Sequence, residues 1–253
     1  MNYLKLRISK AWLIALAFLF SGLLLGDRPA AKAYTVDEVV DMTAQYLIAI
    51  WRDNKTLKTI YPPQILPISS NAKVYGACGK LVTGEEVAGS SYCSSSHTIY
   101  LVPEQLETLS RVFGPSAIAY AIAHEFGHAL QAVYRIKLSG PSRELQADCL
   151  AGFVIGSGSK QLGVTREDVI NMGRAAYAIG DASHGTGAQR TYALLSGMGV
   201  FKSTCKESDI TALANGTLRD PALLKLSSTR SGNAGVDSSK TPYPKTLKTA
   251  LGI

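Results

Sequence analysis

A helix-dominated α+β domain is what this sequence predicts, and three observations predict it. Two long proline-free stretches, Thr35 to Ile50 and Ser116 to Tyr134, repeat apolar residues every three or four positions. Helix-opening signals recur, with a capping box at Thr35-Val-Asp-Glu38 and a second start at Thr165 with Asp168. Strand-like runs are few and short, Ala72 to Tyr75 and Thr98 to Val102.

The chain opens with a basic segment (Lys5, Arg7, Lys10), an apolar run from Ala11 to Leu25, and Ala31-Lys-Ala33. That is the order of a signal peptide: charge, short hydrophobic core, small-residue cleavage site. The run of 15 residues falls short of the ~20 that span a bilayer comfortably. Cleavage after Ala33 is expected, giving a secreted or periplasmic chain from Tyr34. An uncleaved anchor is the alternative, and it would also hold the domain outside the membrane. Residues 34–228 are then one domain. From Thr229 to the end the glycine-, serine- and lysine-rich chain reads as a mobile polar tail.

Net charge is +7, but residues 1–33 hold five of the basic residues and one acidic residue. The remaining 220 residues carry 21 basic and 18 acidic side chains, or +3, with no dense basic patch. Nucleic acid is therefore excluded as an expected partner.

In the first helix Val36, Val39, Val40, Thr43, Leu47 and Ile50 fall on one face and point inward. Pro62-Pro63 and Pro67 mark an extended connector. The two strand-like runs then flank an irregular glycine- and serine-rich segment, Gly76 to Ser96.

Gly114-Pro115 leads into the next helix, with Ser116 as a possible cap. It carries His124-Glu125-Phe126-Gly127-His128. Histidines four apart lie on one helix face, so both rings can reach one metal ion. Glu125 sits beside that ion, where a carboxylate can take a proton from water. A catalytic zinc usually keeps three protein ligands, and a second helix offers candidates. After Gly140-Pro141, with Ser142 as cap, Glu144 and Asp148 fall on one face. One carboxylate can bind the metal while the other accepts from a ligand imidazole.

Three stretches together resemble the bacterial neutral zinc metallopeptidase family: Ala119-Tyr-Ala-Ile-Ala-His-Glu-Phe-Gly-His-Ala-Leu-Gln131, Glu144-Leu-Gln-Ala-Asp-Cys-Leu-Ala-Gly152 and His184-Gly-Thr-Gly-Ala-Gln-Arg190. The likeness runs from about Ala72 to Cys205 and includes Ala77-Cys-Gly79 and Tyr92-Cys93. It implies a zincin-like domain with one zinc per chain, His124, His128 and Glu144 as ligands, Glu125 as general base and Asp148 behind the ligands. Leu101-Val-Pro-Glu-Gln-Leu106 departs from the family pattern, as does the C-terminal tail. In zincins a strand beside the active-site helix can bind substrate backbone by strand addition, and Thr98 to Leu101 is the candidate.

His184 lies in a glycine-rich loop between a helix begun at Thr165 and another from Ala188 to Met198. Two roles stand open for it: donor to the oxyanion of an attacked amide, or a brace paired with Asp181. Arg190 reads as a brace to Asp181 or Asp148, with help to the oxyanion or to a substrate carboxylate as the alternative. Cys78, Cys93 and His97 would make an incomplete metal site, so a disulfide is the better reading. Four cysteines allow three pairings. Cys78–Cys93 and Cys149–Cys205 are the favoured bridges, the second tying the Glu144 helix to the chain beyond the last helix.

The function expected is exported, zinc-dependent hydrolysis of peptide or protein substrates. Two alternatives share the residues: a non-catalytic exported binding protein with a structural zinc, and a zinc hydrolase of non-peptide amides.

Overall fold

A computed structural model describes residues 34–76, 79–87, 89–229 and 250–251. The expected signal peptide or anchor, Cys78 and most of the expected tail lie outside the described residues. The architecture is helix-dominated α+β, as the sequence predicts. In chain order the elements are α1 (Val36–Asp53), β1 (Gln64–Pro67), β2 (Lys73–Tyr75), β3 (Leu81–Thr83), β4 (Ser90–Cys93) and β5 (Thr98–Leu101). There follow α2 (Pro103–Phe113), α3 (Ser116–Val133), α4 (Gly140–Ser157), α5 (Arg166–Ala178), α6 (Gly187–Gly197), α7 (Glu207–Ala214) and α8 (Pro221–Thr229).

Helix α1 starts with the expected capping box: Thr35 accepts from the Glu38 amide while Glu38 accepts from the Thr35 amide. It buries Val39, Thr43, Leu47 and Trp51, with Val36, Val40 and Ile50 packed at the edge of the core. The Trp51 ring meets Phe126 of α3 edge-on at 5.5 Å, and its Nε1–H donates to Ile60 O at 2.9 Å. Helix α1 is thereby fixed against the helix that carries the histidine pair.

Helices α3 and α4 are buried around almost their whole circumference, α3 from Ala117 to Gln131 and α4 from Leu145 to Gly156, Ala121 excepted. Two close backbone approaches let them be so. A Cβ on Gly127 of α3 would stand 2.8 Å from Ala147 O of α4, closer than such atoms come. On the other side, Gly152 of α4 meets the backbone at Leu194, and Gly197 of α6 meets it at Cys149. The site therefore lies between helices that nearly touch.

The caps of these helices differ from the expected ones. Ser116 and Ser142 cap nothing: α3 begins at Ser116 behind Pro115, and α4 begins at Gly140 behind Ser139, neither with a side-chain cap. Pro141 stands in the first turn of α4 rather than breaking the chain, because its missing N–H has no partner to lose there. Helices α5 and α6 do open with capping boxes, Thr165 with Asp168 and Thr186 with Gln189.

The strands form a three-stranded sheet, order β1-β5-β4, and a separate β2-β3 hairpin. Strand β5 is central, parallel to β1 and antiparallel to β4. With both edges paired and all four residues buried, Thr98–Leu101 cannot accept a substrate strand. The edge beside α3 is β4, inside the segment that reads as irregular. The connector 62–67 also contains a strand, and α2, α7 and α8 extend the helical part beyond the sequence reading. Ala250 and Leu251, at the end of the expected mobile tail, are buried in the main core.

Of the two expected bridges, Cys149–Cys205 is formed, with Cα atoms 5.5 Å apart. The other expected bridge, Cys78–Cys93, involves Cys78, which lies outside the described residues. Cys93 is a buried free thiol that donates to Gly76 O at 3.1 Å and lies 3.1 Å from Ser95 Oγ. Among the described residues no helix is long and apolar enough to cross a membrane.

Candidate metal centre

Helix α3 presents His124 and His128 one turn apart, with rings 4.8 Å between centroids. Helix α4 brings Glu144 to the same place, as the contact at Gly127 permits. One donor atom from each of His124, His128 and Glu144 lies within 4.8 Å of the others. The histidines are buried and the Glu144 side chain is 18% exposed. Glu144 Oε2 stands 3.3 Å from His124 Nε2 and 3.2 Å from His128 Nε2.

The donor chemistry asks for a cation. His124 Nδ1 is 2.8 Å from Asp148 Oδ1, an oxygen that only accepts when ionised, so Nδ1 carries the proton and Nε2 turns toward Glu144. Electron-rich atoms gathered in a buried place repel unless positive charge sits among them, as protons on the rings or as one metal ion. Two imidazole nitrogens and one carboxylate suit zinc, with room for a further ligand. Burial disfavours a charged His124 ring, yet the Asp148 carboxylate outweighs it and holds the pKa up to about 9. Burial likewise pushes the Glu144 carboxyl up, while hydrogen bonds from His124 and His128 bring it well below the usual carboxylate range.

Asp148 is fully buried and completely engaged. Besides His124 it accepts from Tyr120 Oη at 2.6 Å, and from Arg190 Nε and Nη2 at 2.9 Å each. Burial opposes its charge, but the Arg190 guanidinium more than offsets it and keeps the carboxyl at about 2. Asp148 thus stands behind His124, as the resemblance implies. Arg190 pairs with Asp148 and not with Asp181, and both ends of its fork are used. It also donates to Tyr120 Oη at 3.2 Å and to Ile179 O at 3.4 Å, and it lines the cleft that opens over the site.

Glu125 is the carboxylate beside this group, 7% exposed. Its Oε2 accepts from the Tyr92 backbone N–H at 2.7 Å and its Oε1 from Ser90 Oγ at 3.1 Å. Both partners lie on the edge strand β4, which the sequence reading did not connect to the site. The signal that would have found them is tertiary, since 33 residues separate Tyr92 from Glu125.

A cleft of about 810 Å³ opens over these groups, within the usual size for small-molecule and peptide sites. His124, Glu125, His128, Glu144 and His184 all line it. Of the two roles open for His184, the contacts present are those of the brace. It is braced by Asp181, whose carboxylate lies 2.8 Å from His184 Nδ1 and accepts from the His184 backbone amide at 2.8 Å, and it still faces the cleft. His97 belongs elsewhere: Nε2 is 3.0 Å from Tyr61 O and Nδ1 is 2.7 Å from Tyr92 Oη. A carbonyl can only accept, so Nε2 donates and Nδ1 accepts, and His97 braces β4.

Fold and site together define a helical α+β protein with a His-His-Glu centre suited to zinc and a carboxylate poised beside it. Residues 27–139 match the model of the family described as putative neutral zinc metallopeptidase. This is the family that the sequence resembles, and the match supports a zinc peptidase, hence a hydrolase, in general terms. It contains His124, Glu125 and His128, whereas Glu144, Asp148, His184 and Arg190 lie beyond its end. No curated protein and no solved structure matches the chain.

Proposed function

We propose that this protein is an exported zinc-dependent peptidase that hydrolyses peptide bonds with Glu125 as general base. The observation that carries the reading is the convergence of His124, His128 and Glu144 on one point, with Glu125 lining the same cleft. Those three residues would hold one zinc ion, which when bound supplies a Lewis acid that polarises a carbonyl and makes water more acidic. A site built only to brace the fold would usually complete its shell with a fourth protein ligand and has no need of Glu125.

Glu125 takes a proton from the attacking water and returns it to the leaving amine. The Tyr92 amide and Ser90 hydroxyl hold its carboxylate still, and each oxygen keeps a second lone-pair direction for that proton. His184 has Nδ1 committed to Asp181, so Nε2 is the atom that faces substrate. Because the Asp181 carboxylate takes the Nδ1 proton as its hydrogen bond, Nε2 donates to the carbonyl oxygen as it becomes negative in the form of the ring that carries a proton on both nitrogens. The Cys149–Cys205 bridge supports a compartment that favours disulfides, in keeping with export.

The test is metal content of the purified full chain, followed by hydrolysis of a mixed-sequence peptide pool. About one zinc per chain, lost in Glu144→Ala, with cleavage lost in Glu125→Gln and greatly reduced in His184→Ala while both keep zinc, is the expected result. No zinc in the wild type after stoichiometric addition would sink the reading. Unchanged turnover in His184→Ala would remove that residue's role alone.

A further inference from the structure

His124 has a carboxylate behind it, whereas His128 has an amide. His128 Nδ1 lies 2.8 Å from Gln131 Oε1. An amide can present either end to a ring, so the ring's tautomer depends on what holds the amide. Gln131 Nε2 donates to Arg143 O at 2.8 Å and to Gln146 Oε1 at 3.0 Å. Gln146 Nε2 in turn donates to Cys205 O at 2.9 Å. Gln131 and Gln146 are both buried, at 3% and 0% exposure, so water cannot replace a lost partner.

The direction of this chain is forced by its far end. The carbonyls of Cys205 and Arg143 accept and never donate. Gln146 must therefore show its NH2 to Cys205 and its oxygen to Gln131. Gln131 must then show its NH2 to Gln146 and Arg143, and its oxygen to His128. Turning either amide over would set oxygen against oxygen in a buried place.

We propose that Gln131 and Gln146 are positioning residues for the metal centre: a relay of two buried amides, anchored on backbone carbonyls, keeps the His128 proton on Nδ1 and its Nε2 lone pair toward Glu144. The relay ends on Cys205, whose sulfur is bonded to Cys149, the neighbour of Asp148. The inference rests on the reading of His124, His128 and Glu144 as a metal site, and its test separates the two.

The full chain is prepared metal-free and the tautomer of neutral His128 is read from long-range proton–nitrogen correlations of the imidazole. Zinc affinity is measured by competition with a chelator. The wild type is expected to carry the proton on Nδ1. Gln131→Leu should move it toward Nε2 and weaken zinc binding about 10- to 100-fold. Gln146→Leu, which frees the Gln131 amide to turn, should shift both readings the same way by less. In Gln131→Glu the new carboxylate still accepts from Nδ1–H while facing two other acceptors. That variant should melt lower than wild type yet keep the tautomer, an outcome that lost stability alone would not give. A wild-type His128 protonated on Nε2, or a folded Gln131→Leu with tautomer and zinc affinity unchanged, would overturn the relay. A wild type with the proton on Nδ1 that binds no zinc would overturn the metal reading and uphold the relay.

Discussion

The backbone amide of Tyr92 donates to the Glu125 carboxylate at 2.7 Å, so the edge of the sheet and the second residue of the histidine motif are joined directly. Glutamine at position 125 preserves this contact. Its oxygen can accept from the Tyr92 amide while its NH2 donates to Ser90 Oγ. Glu125→Gln should therefore unfold at the same denaturant concentration as wild type. Glu125→Leu strands a buried N–H and should lose roughly 1–3 kcal/mol. Chemical denaturation of the two variants side by side checks this, and equal stability would show that the contact carries no weight.

Asp148 and Arg190 make a two-point pair in a fully buried place. Asp148→Ala leaves the guanidinium charged and unpartnered, which costs roughly 3–5 kcal/mol. The same change removes the acceptor from His124 Nδ1 and should weaken zinc binding. The double variant Asp148→Ala with Arg190→Leu should recover part of the stability but none of the affinity. Equilibrium unfolding and chelator competition on the single and double variants measure the two effects.

Gly127→Ala trades a better helix former for a methyl group that would lie 2.8 Å from Ala147 O. The backbone there cannot yield as a flexible side chain would. The clash should outweigh the ~1 kcal/mol that alanine gains in a helix, leaving a net loss of about 1–3 kcal/mol. Because α3 and α4 must part, Glu144 moves from the histidines and zinc affinity falls too. A variant as stable as wild type would contradict this packing.

Burial pushes the Tyr46 phenol up to about 12 from its ordinary 10.0. The folded chain therefore holds that proton more tightly than the unfolded chain does. Its stabilisation is complete below about pH 10 and is lost as pH rises through about 12. Burial of Tyr92, likewise held at about 12, adds to the same limb. Stability measured by denaturant from pH 9 to 12 should fall along this limb, and Tyr46→Phe should make the fall shallower.

What could be read from the sequence was whatever local spacing encodes. His124 and His128 share a face because they are four apart on a helix, and Glu144 with Asp148 follow the same rule. The capping boxes at Thr35 and Thr165 depend on residues three apart and appear as expected. Strand β4 escaped because its identity comes from pairing with β5 and from the grip of Tyr92 on Glu125, neither of which leaves a local pattern in Ser-Ser-Tyr-Cys. Thr98–Leu101 looked like an accessible strand because its alternation does not reveal that both edges are paired. Gln131 was within reach of the reading: three residues beyond His128 on one helix, it had to lie over the same face. Gln146 and Cys205, 59 residues apart, could be joined only by the fold.

The bridge between Cys149 and Cys205 spans 56 residues and encloses α5, α6 and the Asp181–His184 loop. If the chain acts as the peptidase proposed above, copies of it can cut one another, and exposed loops are where such cuts fall. A single nick inside this span leaves two polypeptides that remain one molecule. One piece retains the histidine helix and Glu144, the other the chain beyond the nick, and the sulfur–sulfur bond keeps them together until a reductant parts them.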